Sequence, residues 1–273
     1  MWTIRKQKFL IQVQAMSSWI VFFQLIRRDL IAFKREFRTK FIDTALLFFT
    51  NVMAFGYFLQ QEGAHEGYAA FFVVGAIASF GFVEIVGKVG VQLADMGGDR
   101  TIFHTLVMPI TSNRVFLYIA TSWAITSMIL SALLFPLGKL LVFTEWHWGA
   151  ISFWRTAVMF ITANLFFGAF ALWLTSVIKG MTSLNSLWLR YIAPMWMFGG
   201  YVYSWQSAYD LSHMVGYISL INPMIYVMEG MRAAALGQEG YLPFWLCLGM
   251  LWVYIVACTM HATRRLRHKL DCI

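Results

Sequence analysis

Hydrophobic positions fall into long runs, separated by short polar or basic connections. The runs at residues 41–59, 68–89, 115–135, 151–178, 184–203 and 241–261 are each near or above the roughly 20 residues that a helix needs to cross a hydrocarbon core. They predict six transmembrane helices. Between the fifth and sixth runs, residues 204–240 are too polar to cross and too apolar for a free loop. Asp210, His213, Asn222, Pro223, Glu229, Arg232 and Glu239 lie among apolar residues there. Half-inserted helices on the external side satisfy both facts, because irregular backbone at membrane depth must be covered by protein.

Ahead of the first run, residues 19–40 read WIVFFQLIRRDLIAFKREFRTK. Wound as a helix, Phe22, Ile26, Leu30, Phe33 and Phe37 share one stripe, joined by Trp19 and Phe23. Arg27, Arg28, Lys34, Arg35 and Arg38 take the opposite and flanking surface. This predicts an amphipathic helix lying in the membrane surface with a cationic face toward the cytosol, where a soluble partner can dock. A surface helix of a soluble domain shares the pattern, but here an apolar run follows at once.

Composition points the same way. The 273 residues are 60% hydrophobic and 12% charged, against about a quarter charged in soluble domains. The expected fold is an all-α membrane protein. Its cytoplasmic lead and amphipathic helix occupy residues 1–40. A six-helix transmembrane domain occupies 41–273, with the external re-entrant segment at 204–240 and a basic cytoplasmic tail at 262–273. The net charge of +8 gathers at both ends and in alternate loops, so topology explains it without nucleic acid. Both termini are then cytoplasmic, in a multi-pass protein of the cell inner membrane in contact with its lipids. Arg5, Lys6 and Lys8 precede an apolar run too short and polar for a signal peptide. Six helices mostly pack on each other, so a symmetric pair of chains is expected around any pathway. The aromatic content of 18% fits interfacial belts or a lined path.

Catalytic signatures do not appear. No phosphate-binding glycine loop, H-E-x-x-H or G-x-S-x-G occurs, and Cys247, Cys258 and Cys272 show no metal or disulfide spacing. An intramembrane enzyme therefore lacks its constellation, and no cofactor or metal is expected in this chain. In the connection at residues 91–114, a short helix is expected over residues 99–106, with Asp99 in its first turn. It presents Arg100, Phe103 and His104 either as a docking element or as part of a plain loop. Glu84 and Lys88, one turn apart in the second run, form either a functional intramembrane pair or a self-neutralised one. Arg190 sits near the inner end of the fifth run and is expected to snorkel or to pair with a neighbouring helix. Trp196, Tyr201, Tyr203 and Trp205 read as an interfacial belt or as an aromatic exit lining.

Residues 221–237, INPMIYVMEGMRAAALG, resemble the signature that precedes the last span in ABC type-2 membrane permeases. HTLVMPITSNRVFLYIA, residues 104–120, is similar to the family's loop leading into span 3. The resemblance implies a type V exporter fold, two copies of the chain and two copies of a cognate ATPase subunit. ATP and magnesium would be held by that partner. Arg27, Arg28, Arg35, Asp99, Arg100, Phe103 and His104 would meet the ATPase. Spans 2 and 5 would line the path, with Phe72, Glu84, Arg190, Trp196, Tyr201 and Tyr203 as pathway candidates. Asn222, Pro223, Tyr226, Glu229 and Arg232 would be structural members of the signature. Pro223 would set a helix start, and Glu229 would pair with Arg232 across one turn. The function implied is ATP-driven export of a lipid-linked, glycan or other amphipathic substrate. A self-contained channel or secondary carrier is the alternative.

Overall fold

The computed structural model describes residues 2–58, 67–98, 101–142, 146, 151–178 and 180–271. The connections at 60–67 and 143–149 lie almost wholly outside these residues. So do Asp99 and Arg100.

The described chain is helical throughout, as a membrane protein of this composition requires. Its helices are α1 (Trp2–Asn51), α2 (Tyr68–Val83), α3 (Ile85–Gly97), α4 (Thr101–Val107), α5 (Ser112–Ala132), α6 (Leu134–Leu141), α7 (Phe153–Val177), α8 (Leu184–Leu187), α9 (Ala193–Met197), α10 (Trp205–Leu211), α11 (His213–Ser219), α12 (Pro223–Ala235) and α13 (Phe244–Asp271). Two pairs read as single rods, Tyr68–Gly97 and Ser112–Leu141. Each is 30 residues long, or about 45 Å at 1.5 Å per residue. With Phe153–Val177 and Phe244–Leu270, they make four helices among the described residues that are long and apolar enough to cross a membrane.

The runs at 41–59 and 184–203 take other forms. The first is the end of α1, a 50-residue helix with no break at Lys40, followed by a π-helical turn at Val52–Tyr57. The amphipathic stretch and the first run are thus one helix. α1 follows α5 and α6 in parallel. Arg28 and Asp29 meet Tyr118 and Ser122 at its middle, and the Phe48 ring approaches Gly138 near its end. The run at 184–203 is broken into α8, a π-turn at Trp188–Ile192 and α9 with Pro194 at its start.

Rods α2–α3 and α7 are the most buried of the four long helices and occupy the centre, and α5, α12 and α13 pack around them. Small residues set the closest crossings. A Cβ on Gly168 of α7 would stand 2.2 Å from the Ala120 carbonyl oxygen of α5, so α7 and α5 meet backbone to backbone. The outer faces of α1 and α13 expose Leu46, Leu47, Phe49, Trp252, Val253 and Val256, as lipid-facing helices do.

Gly168→Ala should therefore lower the melting temperature of the detergent-purified chain, at about the 1–3 kcal/mol of an overpacked core. Gly87→Ala, where a Cβ meets nothing within 4 Å, should leave it unchanged or raise it slightly. Equal melting of both variants in scanning fluorimetry would mean that the α5–α7 crossing is not this tight.

Candidate functional site

The described chain has two polar regions, one at each end of the bundle. At the basic end, α1, α4, α5, α7 and α13 meet over one apolar cluster, including Phe22, Ile26, Ile102, Phe116, Leu172 and Leu266. α13 does not stop at His261. It carries the basic tail onward as helix, with Ala262, Leu266 and Leu270 buried at four-residue spacing. Lys269 Nζ then donates to the Ile178 carbonyl at 3.0 Å, capping the end of α7 with a cation.

Arg27, Arg28 and Arg35 are exposed, as the cationic face predicts. The residue that fixes this face is Asp29, which the sequence reading passes over. Its carboxylate accepts the Tyr118 hydroxyl, the Ser122 hydroxyl at 2.9 Å and the Arg28 guanidinium at 3.0 Å. Arg28 also donates to the Tyr118 oxygen at 3.0 Å. Within the α1 pattern Asp29 is one acid among many cations, and only the fold brings it to α5.

α4 is described from Thr101 onward. There the Asp95 carboxylate accepts the Thr101 and Ile102 amides at 2.9 and 3.1 Å. Phe103 is half-buried against the cluster, while His104 is exposed.

Higher in the bundle, Glu84 and Lys88 form an ion pair at 2.9 Å. Ser127 of α5 donates to Glu84 at 3.0 Å, and the Lys88 ammonium donates to Ser127 Oγ and, at 2.8 Å, to the Trp123 carbonyl. The pair is neutralised and tied to a neighbouring helix. Arg190 stands apart, exposed on its π-turn.

The far end is organised by α12, whose thirteen residues are all buried. Four of the five signature residues tie down backbone, and the fifth, Pro223, starts the helix. Pro223 opens the helix behind Asn222, whose Oδ1 accepts the Met224 amide at 3.0 Å and whose Nδ2 reaches the Met195 carbonyl at 2.8 Å. The Tyr226 hydroxyl donates to the Leu220 carbonyl at 2.7 Å. Glu229 and Arg232 do not pair with each other. Glu229 accepts the amides of Trp205, at 3.0 Å, and Leu242, at 3.1 Å. Arg232 sends its guanidinium to the carbonyls of Gly200 at 2.6 Å, Tyr201 at 2.9 Å, Phe71 at 3.3 Å and Tyr203 at 3.4 Å. Its plane lies 3.4 Å from the centre of the Phe71 ring. Gly75 leaves the room, since a Cβ there would stand 2.6 Å from Nη2.

Three pathway candidates come together beside this clamp. Tyr201 meets Phe72 edge to face at 5.0 Å and Trp196 at 4.8 Å. Phe72 and Tyr201 are buried, so within one chain they form packing, and Tyr203 contributes its carbonyl. Glu84 and Arg190 are not part of this group. No protein-family model matches the chain, and no curated protein matches it.

Replacing Glu229 by Gln leaves one carboxamide oxygen for two amide donors. It should destabilise the outer end by about 1–3 kcal/mol, the cost of an unmet buried donor. Arg232→Lys removes the planar fork and should cost more, lowering the monodisperse yield on size exclusion. An Arg232→Lys chain that elutes and melts like wild type would refute the clamp.

Proposed function

We propose that this chain is the membrane subunit of an ATP-driven exporter of the ABC type-2 kind, working as a pair with two copies of a separate ATPase. The carrying observation lies at the basic end. The exposed cationic face of α1 and the short helix α4 rest on one apolar cluster beneath the long helices. A partner that grips either element acts on the same group of helices. Asp29 extends this grip, because its bonds to Tyr118 and Ser122 turn displacement of α1 into displacement of α5. The buried residue-221–237 helix, with its resemblance to the permease signature, supports the same reading.

In this reading the six-span arrangement, cytoplasmic termini, inner-membrane location and external segment at 204–240 follow from the placement of charge. The ATPase supplies ATP and magnesium chemistry, and this chain supplies the gate. Nucleotide and cargo must each bind the inward and outward states unequally for coupling to exist. The cargo class that suits so apolar a chain is lipid-linked, glycan or otherwise amphipathic. Arg190, exposed within the π-turn at Trp188–Ile192, is a charged side chain available to meet cargo or a second copy.

The purified chain alone should hydrolyse no ATP, and co-expression with its cognate ATPase should yield a complex of two chains and two ATPases by native mass spectrometry. Vigorous hydrolysis by the isolated chain, or activity as a lone channel in liposomes, would sink the proposal. Within the complex, Asp29→Asn and Tyr118→Phe should each weaken cargo-stimulated hydrolysis while leaving assembly intact. Each removes or weakens a charge-assisted bond of about 1.5–3 kcal/mol. Unaltered stimulation in both variants would show that the α1–α5 pin carries no load.

A further inference from the structure

The long helix α1 carries an acid–base pair with the same four-residue spacing as Glu84 and Lys88, and this pair is open. The rod Ser112–Leu141 is 30 residues long, about ten more than a hydrocarbon core takes. Residues 122–131 therefore lie inside the core wherever the bilayer sits along the rod. α1 runs beside that stretch in a register fixed at two points. Asp29 accepts the Ser122 hydroxyl at 2.9 Å, and the Phe48 ring stands beside Gly138. The turns of α1 after Asp29 thus pass through the core. They hold Glu36 and Lys40, paired at 2.9 Å, and Asp43 stands one turn further on.

The two pairs are met differently. The Glu84 and Lys88 side chains, 22% and 16% exposed, are closed in by Ser127 and the Trp123 carbonyl. Those of Glu36 and Lys40 are 66% and 47% exposed, and Asp43 is exposed too. At 100° per residue these three share one stripe, beside the buried one of Phe33, Thr44 and Phe48. The apolar residues that α1 exposes here, Ile42, Leu46 and Phe49, take the opposite side. A charge facing acyl chains at this depth costs about 2.5–3.5 kcal/mol. Lys40 can bend its stem toward an interface, but the Asp43 carboxylate sits on a single methylene and cannot. Pairing cancels the charge of Glu36 and leaves its spare lone pairs without donors. Water meets all three groups at once, and hydrocarbon meets none.

We propose that the stripe of Glu36, Lys40 and Asp43 lines a water-filled cleft that enters the membrane along α1 from the basic end. The cleft admits polar and charged groups to membrane depth. Acyl chains keep to the side of Ile42, Leu46 and Phe49. The inference follows from charge and depth alone and does not rest on the exporter proposal.

Thiol accessibility in proteoliposomes of the full chain tests this. Glu36→Cys, Asp43→Cys, Ile42→Cys and Leu46→Cys are each exposed to a sulfonated, membrane-impermeant thiosulfonate, loaded on both faces by freeze–thaw. Adducts are counted by intact mass above those of wild type, whose own three cysteines set the baseline. A thiol in water ionises and one in hydrocarbon keeps its proton, and each unit of that shift is tenfold in thiolate. Glu36→Cys and Asp43→Cys should therefore react at least about tenfold faster than Ile42→Cys and Leu46→Cys. Asp43→Cys leaves the Glu36–Lys40 pair intact, so its result stands even if Glu36→Cys folds poorly on size exclusion. Slow labelling at all four positions would overturn the proposal, by placing the stripe against lipid or dry protein. Fast labelling at all four would also overturn it, by placing this part of α1 outside the bilayer. So would disulfide cross-linking between Asp43→Cys chains that resist the reagent, which would assign the stripe to a second copy.

Discussion

The guanidinium of Arg232 is the group on which the outer half of the molecule depends. It is fully buried in a chain with little water to spare for backbone groups at depth. The chain reversal after α9 leaves the carbonyls of Gly200, Tyr201 and Tyr203 without helical donors. In a bilayer such groups must be met from within the protein. A planar cation with five N–H donors meets several at once. The desolvation that makes a buried cation expensive is offset only because the carbonyls, the Phe71 face and the space above Gly75 are all in place. Glu229 does the converse one turn earlier. It accepts the amides of Trp205, at the start of α10, and of Leu242, ahead of the last long helix. One short helix thus joins both sides of the connection to the central rods through opposite charges that never touch.

The basic half is held differently. Several of its polar bonds converge on α5, which presents Tyr118 and Ser122 to α1 and Ser127 to the Glu84–Lys88 pair of the central rod. These positions lie on different sides of α5, so the helix is gripped between two neighbours. An isolated acid and an isolated cation inside this bundle would each be costly. Joined through hydroxyls, they become connections between helices. The two halves therefore differ in kind. The far end is a clamp that closes on backbone, and the basic end is a chain of side-chain bonds that runs from helix to helix.

How far the sequence announced this varies by element. Apolar runs of sufficient length located the four long helices, because burial in hydrocarbon leaves a compositional record. The cationic face of α1 was legible for the same reason. The continuity of α1 through Lys40 was not, since a change from polar to apolar residues alters the solvent of a helix and leaves its backbone bonds intact. The i, i+3 spacing of Glu229 and Arg232 suggested a pair. In a fully buried helix, however, each charge is drawn to backbone groups that have no other partner, and those come from distant turns. Asp29 carried no signal at all, for its partners lie about 90 residues away.

The unbroken α1 has a mechanical consequence. A helix of 50 residues has no soft point between its cationic face and its far end. Load applied near Arg35 is carried past Asp29 in one direction and toward Phe48 in the other. The first irregularity is the π-turn at Val52–Tyr57, where the hydrogen-bond ladder widens and the backbone is easiest to bend. That turn is itself fastened, since the Tyr57 hydroxyl donates to the Leu141 carbonyl at the end of α6. Two parallel rods, α1 and α5–α6, thus run toward the far end, bonded to each other at Asp29 and again at Tyr57. Two rods joined in this way tilt together. On the exporter reading proposed above, a gate built on them would open by rotation of the pair against the central helices, with the α12 clamp as the fixed point.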